Sequence, residues 1–461
     1  MATRVIILAA GQGTRMKSTR PKVLHEIAGR SMVAWMIEAA SQLSPAEIRV
    51  VVGHEADVVA AALPEGTATT LQEEQLGTAH AVELALADMT PEADDVIVVL
   101  PSDHPTLRGE VLIELVERHT STGAAATLLT AVLDDPFGYG RVIRRDGAVV
   151  GVVEEVEAEA ETKKLHEVAT AIYAFSPDAL TSALPNIGSD NVQSERYLPD
   201  VVEIFATAGL GLEAVIGTAA DAAGINTYDQ LAGATAHLQR TINEAWMAEG
   251  VWMVEPSRVY IDASAVLASD VRLYPGVHIE GASTVAPGAE IGPEVHIRDS
   301  RIGEEARIRY SVLEGAVVGP RVEVGPFARL RPGTVLGPES KAGTFVELKQ
   351  TQVGARSKVP HLAYMGDATI GEDSNIGAGT ITCNWDGHAK HQTIIGDRAF
   401  IGSDTMLVAP VAVGDDGWTG AGSTITKDVP PGSLAVERSA QREIADYAER
   451  KKDRSSEQED S

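Results

Sequence analysis

The chain has 461 residues, a formal net charge of −28 at pH 7 and a single cysteine. This length predicts two domains, and the strong negative charge argues against a protein that binds the phosphate backbone of nucleic acid. A single cysteine excludes an internal disulfide framework, and with neither a signal-peptide pattern nor an apolar run of membrane-spanning length we expect a cytoplasmic protein with small-molecule substrates and no membrane partner.

Residues 1–228 alternate short apolar runs with amphipathic stretches. The runs at 5–9, 49–52 and 96–100 are typical of buried strands, and the stretches between them are typical of helices. This alternation predicts an α/β domain with a mostly parallel sheet.

A glycine-containing loop follows the first apolar run, where residues 8–16 read LAAGQGTRM. Glycines let backbone N–H groups close around phosphate oxygens, and Arg15 and Lys22 can offset the charge between attacking and leaving phosphates. The pattern indicates a nucleoside triphosphate site, although an ordinary strand-to-helix turn explains the glycines about equally well. A dinucleotide-binding fold is disfavoured because Met16 stands where its fingerprint needs a third glycine.

A second candidate position ends the apolar run VVLPSD at residues 98–103. The carboxyl ends of the strands line the ligand cleft of an open α/β sheet, and Mg²⁺ is usually held by one or two carboxylates together with substrate phosphates. Asp103 is therefore a candidate magnesium ligand, with a helix N-cap as the alternative.

A helix is predicted over residues 229–250. Leu231, Leu238, Ile242 and Trp246 have helical spacing, and Gly250 is a suitable C-terminal stop. We interpret this helix as the linker to a second domain at residues 251–461.

The second domain has an aliphatic side chain at every sixth position. The positions are Ile261, Leu267, Leu273, Ile279, Val285, Ile291 and Ile297, then Val318, Val324, Leu330 and Leu336, then Ile395, Ile401, Leu407, Val413 and Ile425, with polar Thr419 inside the last run. A period of six predicts short parallel strands stacked as a solenoid. We expect insertions such as Lys341 to Lys358 to interrupt it, and we expect disorder in the last dozen residues of the charged tail that begins at Glu437.

Polar residues cluster between these runs. Arg331 and Lys349 can bind a sugar phosphate through charge-assisted hydrogen bonds, and Glu347 lies on the same strand face as Lys349. His361 can accept the proton of an attacking amine, with a histidine hydrogen-bonded in a turn as the alternative. Cys383 is expected to be a buried structural thiol rather than a nucleophile.

The glycine loop, PKVLH at residues 21–25, QLGT at 75–78 and GYGR at 138–141 together resemble the sugar-1-phosphate nucleotidylyltransferases. With the solenoid added, nearly the whole chain resembles the bacterial family that combines N-acetylglucosamine-1-phosphate uridylyltransferase with glucosamine-1-phosphate N-acetyltransferase. The resemblance implies a Rossmann-like nucleotidyltransferase domain, a left-handed parallel β-helix of hexapeptide repeats and a homotrimer. It also implies UTP and acetyl-CoA as co-substrates, Mg²⁺ as cofactor, and synthesis of UDP-N-acetylglucosamine for the cell wall.

The resemblance also implies site residues. In the uridylyltransferase, the nucleotide contacts are Leu8, Ala9, Ala10, Gly11, Lys22, Gln72, Gly77 and Thr78, the Mg²⁺ ligands are Asp103 and Asn226, and the sugar contacts are Gly140 and Glu154. In the acetyltransferase, Arg331, Lys349, Tyr364 and Asn375 bind glucosamine-1-phosphate, His361 is the proton acceptor, and Ala378, Asn384, Trp385, Ser403, Ala421 and Arg438 contact acetyl-CoA.

Four positions of these sites depart from the family pattern. Ser102 stands in place of the glycine of an aromatic-Gly-Asp stretch, and Ala169 replaces an asparagine whose amide faces the sugar. Trp385 replaces a tyrosine, and Pro360 replaces an asparagine before His361. Two alternatives therefore stay open: a pyrophosphorylase for another hexose whose solenoid serves only assembly or regulation, and a scaffold that senses UDP-sugars without catalysis.

Overall fold

The computed structural model describes residues 1–191 and 194–452, and it divides the chain into two compact units, residues 1–242 and the residues from 243 onward. The division falls inside the helix that was predicted to link two domains.

The first unit is an α/β sandwich. Its strands are β1 Thr3–Ala9, β2 Glu26–Ile27, β3 Arg30–Ser31, β4 Glu47–Val52, β5 Ala68–Leu71, β6 Val96–Pro101, β7 Ala126–Val132, β8 Arg141–Arg145, β9 Ala148–Val153, β10 Glu167–Phe175 and β11 Leu212–Gly217. Its helices are α1 Met32–Ser41, α2 Ala56–Ala61, α3 Thr78–Asp88, α4 Gly109–Thr122, α5 Pro177–Ala183, α6 Asp200–Thr207 and α7 Tyr228–Ala248, with 3₁₀ turns at Thr14–Met16, Lys22–Leu24, Thr162–Lys164 and Leu184–Asn186.

The main sheet has the strand order β11-β7-β10-β6-β1-β4-β5, and the β8–β9 hairpin joins it through β10. Along this order the pairs are parallel except the two made by β10, and the β8–β9 hairpin is antiparallel, so the prediction of a mostly parallel main sheet is confirmed. Strands β1, β4 and β6 match the three apolar runs read from the sequence. Apolar side chains from both faces of the sheet pack against helices in two separate core layers.

The sheet brings the predicted nucleotide loop and Asp103 together. Strands β1 and β6 are parallel neighbours, with Leu8 paired to Pro101. The loop after β1 and the segment after β6 therefore leave the same edge of the sheet side by side. Asn226 is brought to this edge because the backbone N–H of Ile225 donates to the carbonyl of Asp103 at 2.9 Å.

Helix α7 follows Asn226 and confirms the helix predicted over residues 229–250. Its first half packs Leu231 and Leu238 against a small apolar cluster of the first unit. Gly250 lies just beyond its end with a φ of 94°, a left-handed conformation that favours glycine after a helix.

The second unit is a parallel β-helix of three sheets, which confirms the predicted left-handed hexapeptide solenoid. Sheet I contains Trp252–Met253, Arg272–Leu273, Glu290–Ile291, Arg307–Ile308, Glu323–Val324, Lys341–Thr344, Lys358–His361, Asn375–Ile376, Phe400–Ile401, Trp418–Thr419 and Leu434–Ala435. Sheet II contains Val259–Ile261, Val277–Glu280, Val295–Arg298, Val312–Glu314, Arg329–Leu330, Glu347–Lys349, Tyr364–Gly366, Ile381–Cys383, Met406–Val408 and Thr424–Ile425. Sheet III contains Val266–Leu267, Thr284–Val285, Arg301–Ile302, Val317–Val318, Val335–Leu336, Gln352–Val353, Ala368–Ile370, Thr393–Ile395 and Val411–Val413.

The aliphatic residues of the six-residue period all point into the β-helix and are buried. Thr419 also points inward and is 2% exposed. Its hydroxyl accepts a hydrogen bond from the backbone N–H of Gly402 at 3.0 Å and lies 3.1 Å from the hydroxyl of Thr405. The polar position inside the core is therefore satisfied by hydrogen bonds.

The prediction that Lys341 to Lys358 is an insertion is wrong, because this segment forms regular strands in all three sheets. Ala342 and Leu348 fill the inward positions there. The sequence signal failed because Ala342 is small and because the next inward residue, Val353, comes five positions after Leu348 instead of six. The longest connection in this part of the β-helix lies between Cys383 and Thr393, and we call residues 384–392 the insertion loop.

At the C-terminus, residues 447–452 are helical. Disorder was expected for the last dozen residues, 450–461. Residues 450–452 belong to this helix, and residues 453–461 lie outside the described residues. No helix within residues 1–191 and 194–452 is long and apolar enough to cross a membrane.

Two candidate active sites

A cavity of about 280 Å³ opens beside the glycine loop of the first unit. The predicted residues that line it are Leu8, Ala10, Gly11, Lys22, Gln72, Gly77, Thr78, Ser102 and Asp103. Ala9 is the exception among the predicted nucleotide contacts, because its side chain packs in the core beneath the sheet. Any contact that Ala9 makes with a nucleotide must therefore come from its backbone.

The turn before α3 forms one wall of this cavity. Gly77 has a φ of 108°, and a side chain at this position would collide with the backbone of Arg196. The Gln72 amide donates to the carbonyl of Gly77 at 3.1 Å and is 3% exposed. Gln72 thus holds in place the turn that precedes Thr78.

A cluster of opposite charges lies at the cavity floor. The Lys22 ammonium is 2.5 Å from a carboxylate oxygen of Asp103 and 2.7 Å from the side-chain oxygen of Asn226. The Arg15 guanidinium donates to the same Asn226 oxygen at 2.7 Å. Lys22 thus contacts both predicted magnesium ligands, and Arg15 contacts one of them, Asn226.

Asp103 does not cap a helix, which removes the alternative reading of this residue, since α4 begins after Arg108. His104 is 7% exposed, and its Nδ1 is 2.8 Å from the second carboxylate oxygen of Asp103. Burial alone would raise the pKa of Asp103, but the hydrogen bond from His104 and the Lys22 ammonium outweigh it and hold that pKa well below its usual range. The Asp103 carboxyl is therefore stabilised as an anion, and both neighbours orient it.

A second cavity of about 290 Å³ lies on the other side of Asp103. The predicted residues that line it are Arg15, Asp103, Gly140, Glu154, Ala169 and Asn226. Burial, followed by the charges of Asp200 and Glu157, raises the pKa of the Glu154 carboxyl. Asp103 and Ala171 line both cavities, so the charge cluster stands between two spaces of nearly equal volume.

Ala171 lies in a bulge of β10 and has a φ of 59°, a conformation that strains a residue with a Cβ. We predict that Ala171→Gly stabilises the protein by about 1 kcal/mol, because glycine adopts this backbone without strain. Urea unfolding followed by circular dichroism measures the effect. Ala236→Gly, on the exposed middle of α7, is the matched control and should destabilise by about 1 kcal/mol. A loss of stability in both variants would contradict the assignment of strain.

The second site is organised around one corner of the β-helix, where the chain leaves sheet I. Thr344 pairs with His361 at this corner. Continuing the pairing through the next coils places Ala378, Ser403 and Ala421 at the equivalent position, each two residues beyond the end of a sheet I strand. The predicted proton acceptor and three predicted acetyl-CoA contacts thus form a single row along the corner, which we call the corner row.

The end of the corner row is covered by Arg438, whose guanidinium donates to the carbonyl of Ala421 at 3.0 Å. The insertion loop begins with Asn384, which is 7% exposed and donates to the Asp367 carboxylate at 2.5 Å. Trp385, by contrast, is 57% exposed. Of the residues assigned to acetyl-CoA, Asn384 is therefore buried and held by a hydrogen bond, whereas the Trp385 ring is exposed and accessible to a ligand.

The predicted sugar-phosphate residues lie on both sides of the corner. Arg331, Lys349 and Tyr364 belong to sheet II or its edge, and Asn375 belongs to sheet I. The Arg331 guanidinium is 3.0 Å from the carboxylate of Glu347, which fixes its direction. The neighbouring Lys390 ammonium lowers the pKa of Lys349, so two cations lie close together at this surface. Such a pair favours an anionic ligand.

Comparison with known proteins agrees with this two-part organisation. Residues 5–168 match the family model described as a MobA-like NTP transferase domain, and residues 392–427 match the hexapeptide repeat of succinyl-transferase. Proteins described as bifunctional protein GlmU are similar over nearly the whole chain. The relative from Heliobacterium modesticaldum is 48% identical over 94% of this chain and 95% of its own length. The relative from Streptomyces coelicolor is 45% identical over 97% of this chain and 94% of its own.

The chain belongs to the bifunctional GlmU family. This confirms the resemblance inferred from its motifs. The chain is an enzyme with uridylyltransferase and acetyltransferase activities for the synthesis of UDP-N-acetylglucosamine.

Against this family background, sequence reasoning missed several residues that shape the sites. No contact was assigned to His104 from the sequence, yet its imidazole orients Asp103. Asp367, which holds Asn384, and Tyr173, which lines the second cavity, were not assigned any contact. Cys383 is half-buried rather than fully buried, and burial raises the pKa of its thiol, which disfavours a nucleophilic thiolate.

Proposed function

We propose that this chain has two separate catalytic sites, with uridylyl transfer in residues 1–228, acetyl transfer in residues 251–461 and the helix at 229–250 as linker. The main support is the cluster of Lys22, Asp103, Asn226 and Arg15 between two cavities. A nucleoside triphosphate in the cavity beside the glycine loop and a sugar phosphate in the second cavity would meet at this cluster.

In the uridylyltransferase, the phosphate of N-acetylglucosamine-1-phosphate attacks the α-phosphorus of UTP, and pyrophosphate leaves. Backbone N–H groups of residues 8–11 bind the triphosphate, and Lys22 and Arg15 offset the negative charge that develops during transfer. Gly140 and Glu154 bind the sugar. Positioning of the two phosphates supplies most of the rate enhancement.

Asp103 and Asn226 are the residues that would hold Mg²⁺. The fit rests on their chemistry, since a carboxylate oxygen and an amide oxygen are ligands that Mg²⁺ accepts, and both already face one cation, the Lys22 ammonium. Bound Mg²⁺ supplies positive charge at the phosphates of the reacting nucleotide.

In the acetyltransferase, which we place first in the sequence of reactions, the amine of glucosamine-1-phosphate attacks the thioester carbonyl of acetyl-CoA. His361 accepts the amine proton, and CoA leaves as the thiol. Arg331, Lys349, Tyr364 and Asn375 bind the sugar phosphate. The corner row with Asn384, Trp385 and Arg438 binds acetyl-CoA.

We also propose a cytoplasmic homotrimer. Tyr310, Phe327, Phe345 and Leu362 form an apolar ridge next to the corner row and are 42%, 54%, 58% and 62% exposed. The rings of Phe327 and Phe345 stack at 5.3 Å. A contiguous exposed apolar ridge favours burial against another copy, which would cover the approach to His361. Sedimentation equilibrium of the purified protein measures the assembly state.

The test of the proposed function uses the purified chain with each sugar phosphate in turn. Release of free CoA from acetyl-CoA with glucosamine-1-phosphate, and of pyrophosphate from UTP with N-acetylglucosamine-1-phosphate, is the expected result. Pyrophosphate release with another hexose phosphate and no CoA release would favour a pyrophosphorylase of different specificity. Binding of UDP-sugars without either release would favour the sensing scaffold.

Ala169 offers a direct test of the sugar cavity. Ala169→Asn is expected to lower the KM for N-acetylglucosamine-1-phosphate about fivefold, because a side-chain amide in this cavity adds one neutral hydrogen bond worth about 1 kcal/mol. Initial rates of pyrophosphate release measure the change. Ala148→Asn, on the exposed face of the β8–β9 hairpin, is the matched control. An unchanged or raised KM in Ala169→Asn would mean that this position does not face the sugar.

A further inference from the structure

The hydroxyl of Tyr173 is a buried polar group of the first unit that has no hydrogen-bond partner among the described residues. Tyr173 is 1% exposed. A buried hydroxyl without a partner costs free energy that an apolar side chain would not cost. Such a group calls for a partner that the free protein does not itself supply.

The surroundings of Tyr173 place this partner in the sugar cavity. Tyr173 lines the second cavity together with Ala169, Gly140 and Glu154. In β10, Tyr173 and Ala169 pack toward the same core layer, whereas Ile172 packs toward the opposite layer. The phenol therefore lies on the same face of the sheet as the position where the family pattern has an asparagine.

The phenol ring is held firmly. It stacks on Phe175 at 5.3 Å, and Phe175 in turn packs edge-on against Phe205 at 6.5 Å. Because packing fixes the ring, the hydroxyl cannot rotate away from this position. Its position is preorganised for a ligand.

The negative charges near Tyr173 favour a protonated hydroxyl that donates a hydrogen bond. Burial, followed by the negative charges of Glu154 and Asp200, raises the pKa of Tyr173, so the phenol stays protonated. The Ala169 side chain adds a small apolar surface to the same cavity. A hydroxyl donor beside a methyl group is complementary to an acetamido group, whose carbonyl accepts a hydrogen bond and whose methyl is apolar.

We propose that Tyr173 determines the specificity of the uridylyltransferase by donating a hydrogen bond to the acetamido carbonyl of the bound sugar phosphate. This contact takes over the role of the side-chain amide that is missing at Ala169. The proposal rests on the proposed function, because it requires N-acetylglucosamine-1-phosphate to bind in the second cavity.

The experiment is Tyr173→Phe in the full-length chain, with Tyr260→Phe on the β-helix as matched control. We expect the KM for N-acetylglucosamine-1-phosphate to rise about 5- to 10-fold, the loss of one neutral hydrogen bond to a buried partner. The KM for glucose-1-phosphate, which lacks the acetamido group, should stay unchanged. The melting temperature should stay unchanged or rise, because the hydroxyl has no internal hydrogen bond to lose.

A second variant tests the exchange of roles between the two positions. Adding Ala169→Asn to Tyr173→Phe should improve the KM more than Ala169→Asn improves it in the wild-type chain, since the amide then replaces an absent contact. Equal improvement in both backgrounds would overturn the proposed exchange.

The outcomes separate this inference from the function on which it rests. If the wild-type chain turns over N-acetylglucosamine-1-phosphate and Tyr173→Phe leaves its KM unchanged, the specificity role is wrong and the proposed function stands. A KM that rises equally for both sugars with a lower melting temperature would reveal a purely structural role. No pyrophosphate release by the wild-type chain with this sugar would overturn the proposed function itself.

Discussion

Asp103→Asn is expected to lower the rate of uridylyl transfer by about 10²- to 10³-fold, because the charge stabilisation that a carboxylate-bound metal ion supplies is worth several kcal/mol. The same variant leaves the Lys22 ammonium without its carboxylate partner at 2.5 Å. Acetyl transfer should stay at the wild-type rate, because we propose that it takes place in the other unit. Parallel assays of pyrophosphate and CoA release measure both effects.

The pH dependence of stability gives Asp103→Asn a second readout. The pKa of Asp103 is held below its unfolded value, so the carboxylate contributes stability above about pH 4 and loses it as the pH falls. The wild-type chain should therefore be more stable than the variant at pH 7, and the difference should shrink under acid. Asp146→Asn, at an exposed hairpin turn, is the control. Wild-type uridylyl transfer in Asp103→Asn would mean that Asp103 holds no metal.

The β-helix was the most predictable part of the fold because its large inward-facing residues recur at a regular spacing in the sequence. Strands with fixed pitch need an aliphatic side chain at nearly constant spacing, and positions such as Ile261 and Ile401 meet that need. The prediction failed where the inward-facing residue is small, at Ala342, and where the spacing between inward residues falls from six to five, between Leu348 and Val353. A sequence period detects large inward side chains, whereas the backbone tolerates small ones.

The first site was predictable in part. The glycine loop and Asp103 could be placed because both follow buried strands, and parallel neighbours end at one edge of a sheet. Asn226 entered only through the family resemblance, since no local pattern connects it to Asp103. The roles of His104 and Tyr173 could be inferred only from the three-dimensional structure. His104 matters because its imidazole contacts Asp103, and Tyr173 matters because its buried hydroxyl has no hydrogen-bond partner among the described residues.

The residues of the corner row occupy equivalent positions of the repeat, but the sequence alone does not reveal this equivalence. His361, Ala378, Ser403 and Ala421 are unlike in chemistry, and the insertion loop breaks their spacing. Only the pairing of the strands reveals that they occupy equivalent positions. The same corner carries aromatic residues in earlier coils, so one edge of the β-helix passes from an apolar surface to the residues that we propose for acetyl transfer.

His361→Ala is expected to reduce acetyl transfer by about 10²- to 10⁴-fold, the usual contribution of a general base, while uridylyl transfer stays unchanged. His361 lies on the exposed corner, so its removal should leave the fold and the melting temperature intact. Free imidazole should restore part of the lost rate, because the truncated side chain leaves space for it beside the attacking amine. CoA release measured with and without imidazole gives both numbers.

His361→Gln separates proton transfer from hydrogen bonding. Glutamine retains a polar side chain at the corner row and cannot accept the amine proton, so its acetyl transfer should be as slow as that of the alanine variant. His237→Ala, a half-exposed imidazole on α7, is the control and should affect neither activity. If the glutamine variant kept most of the rate, His361 would position the substrate rather than take its proton. If both activities fell together, the idea of two separate sites would fail.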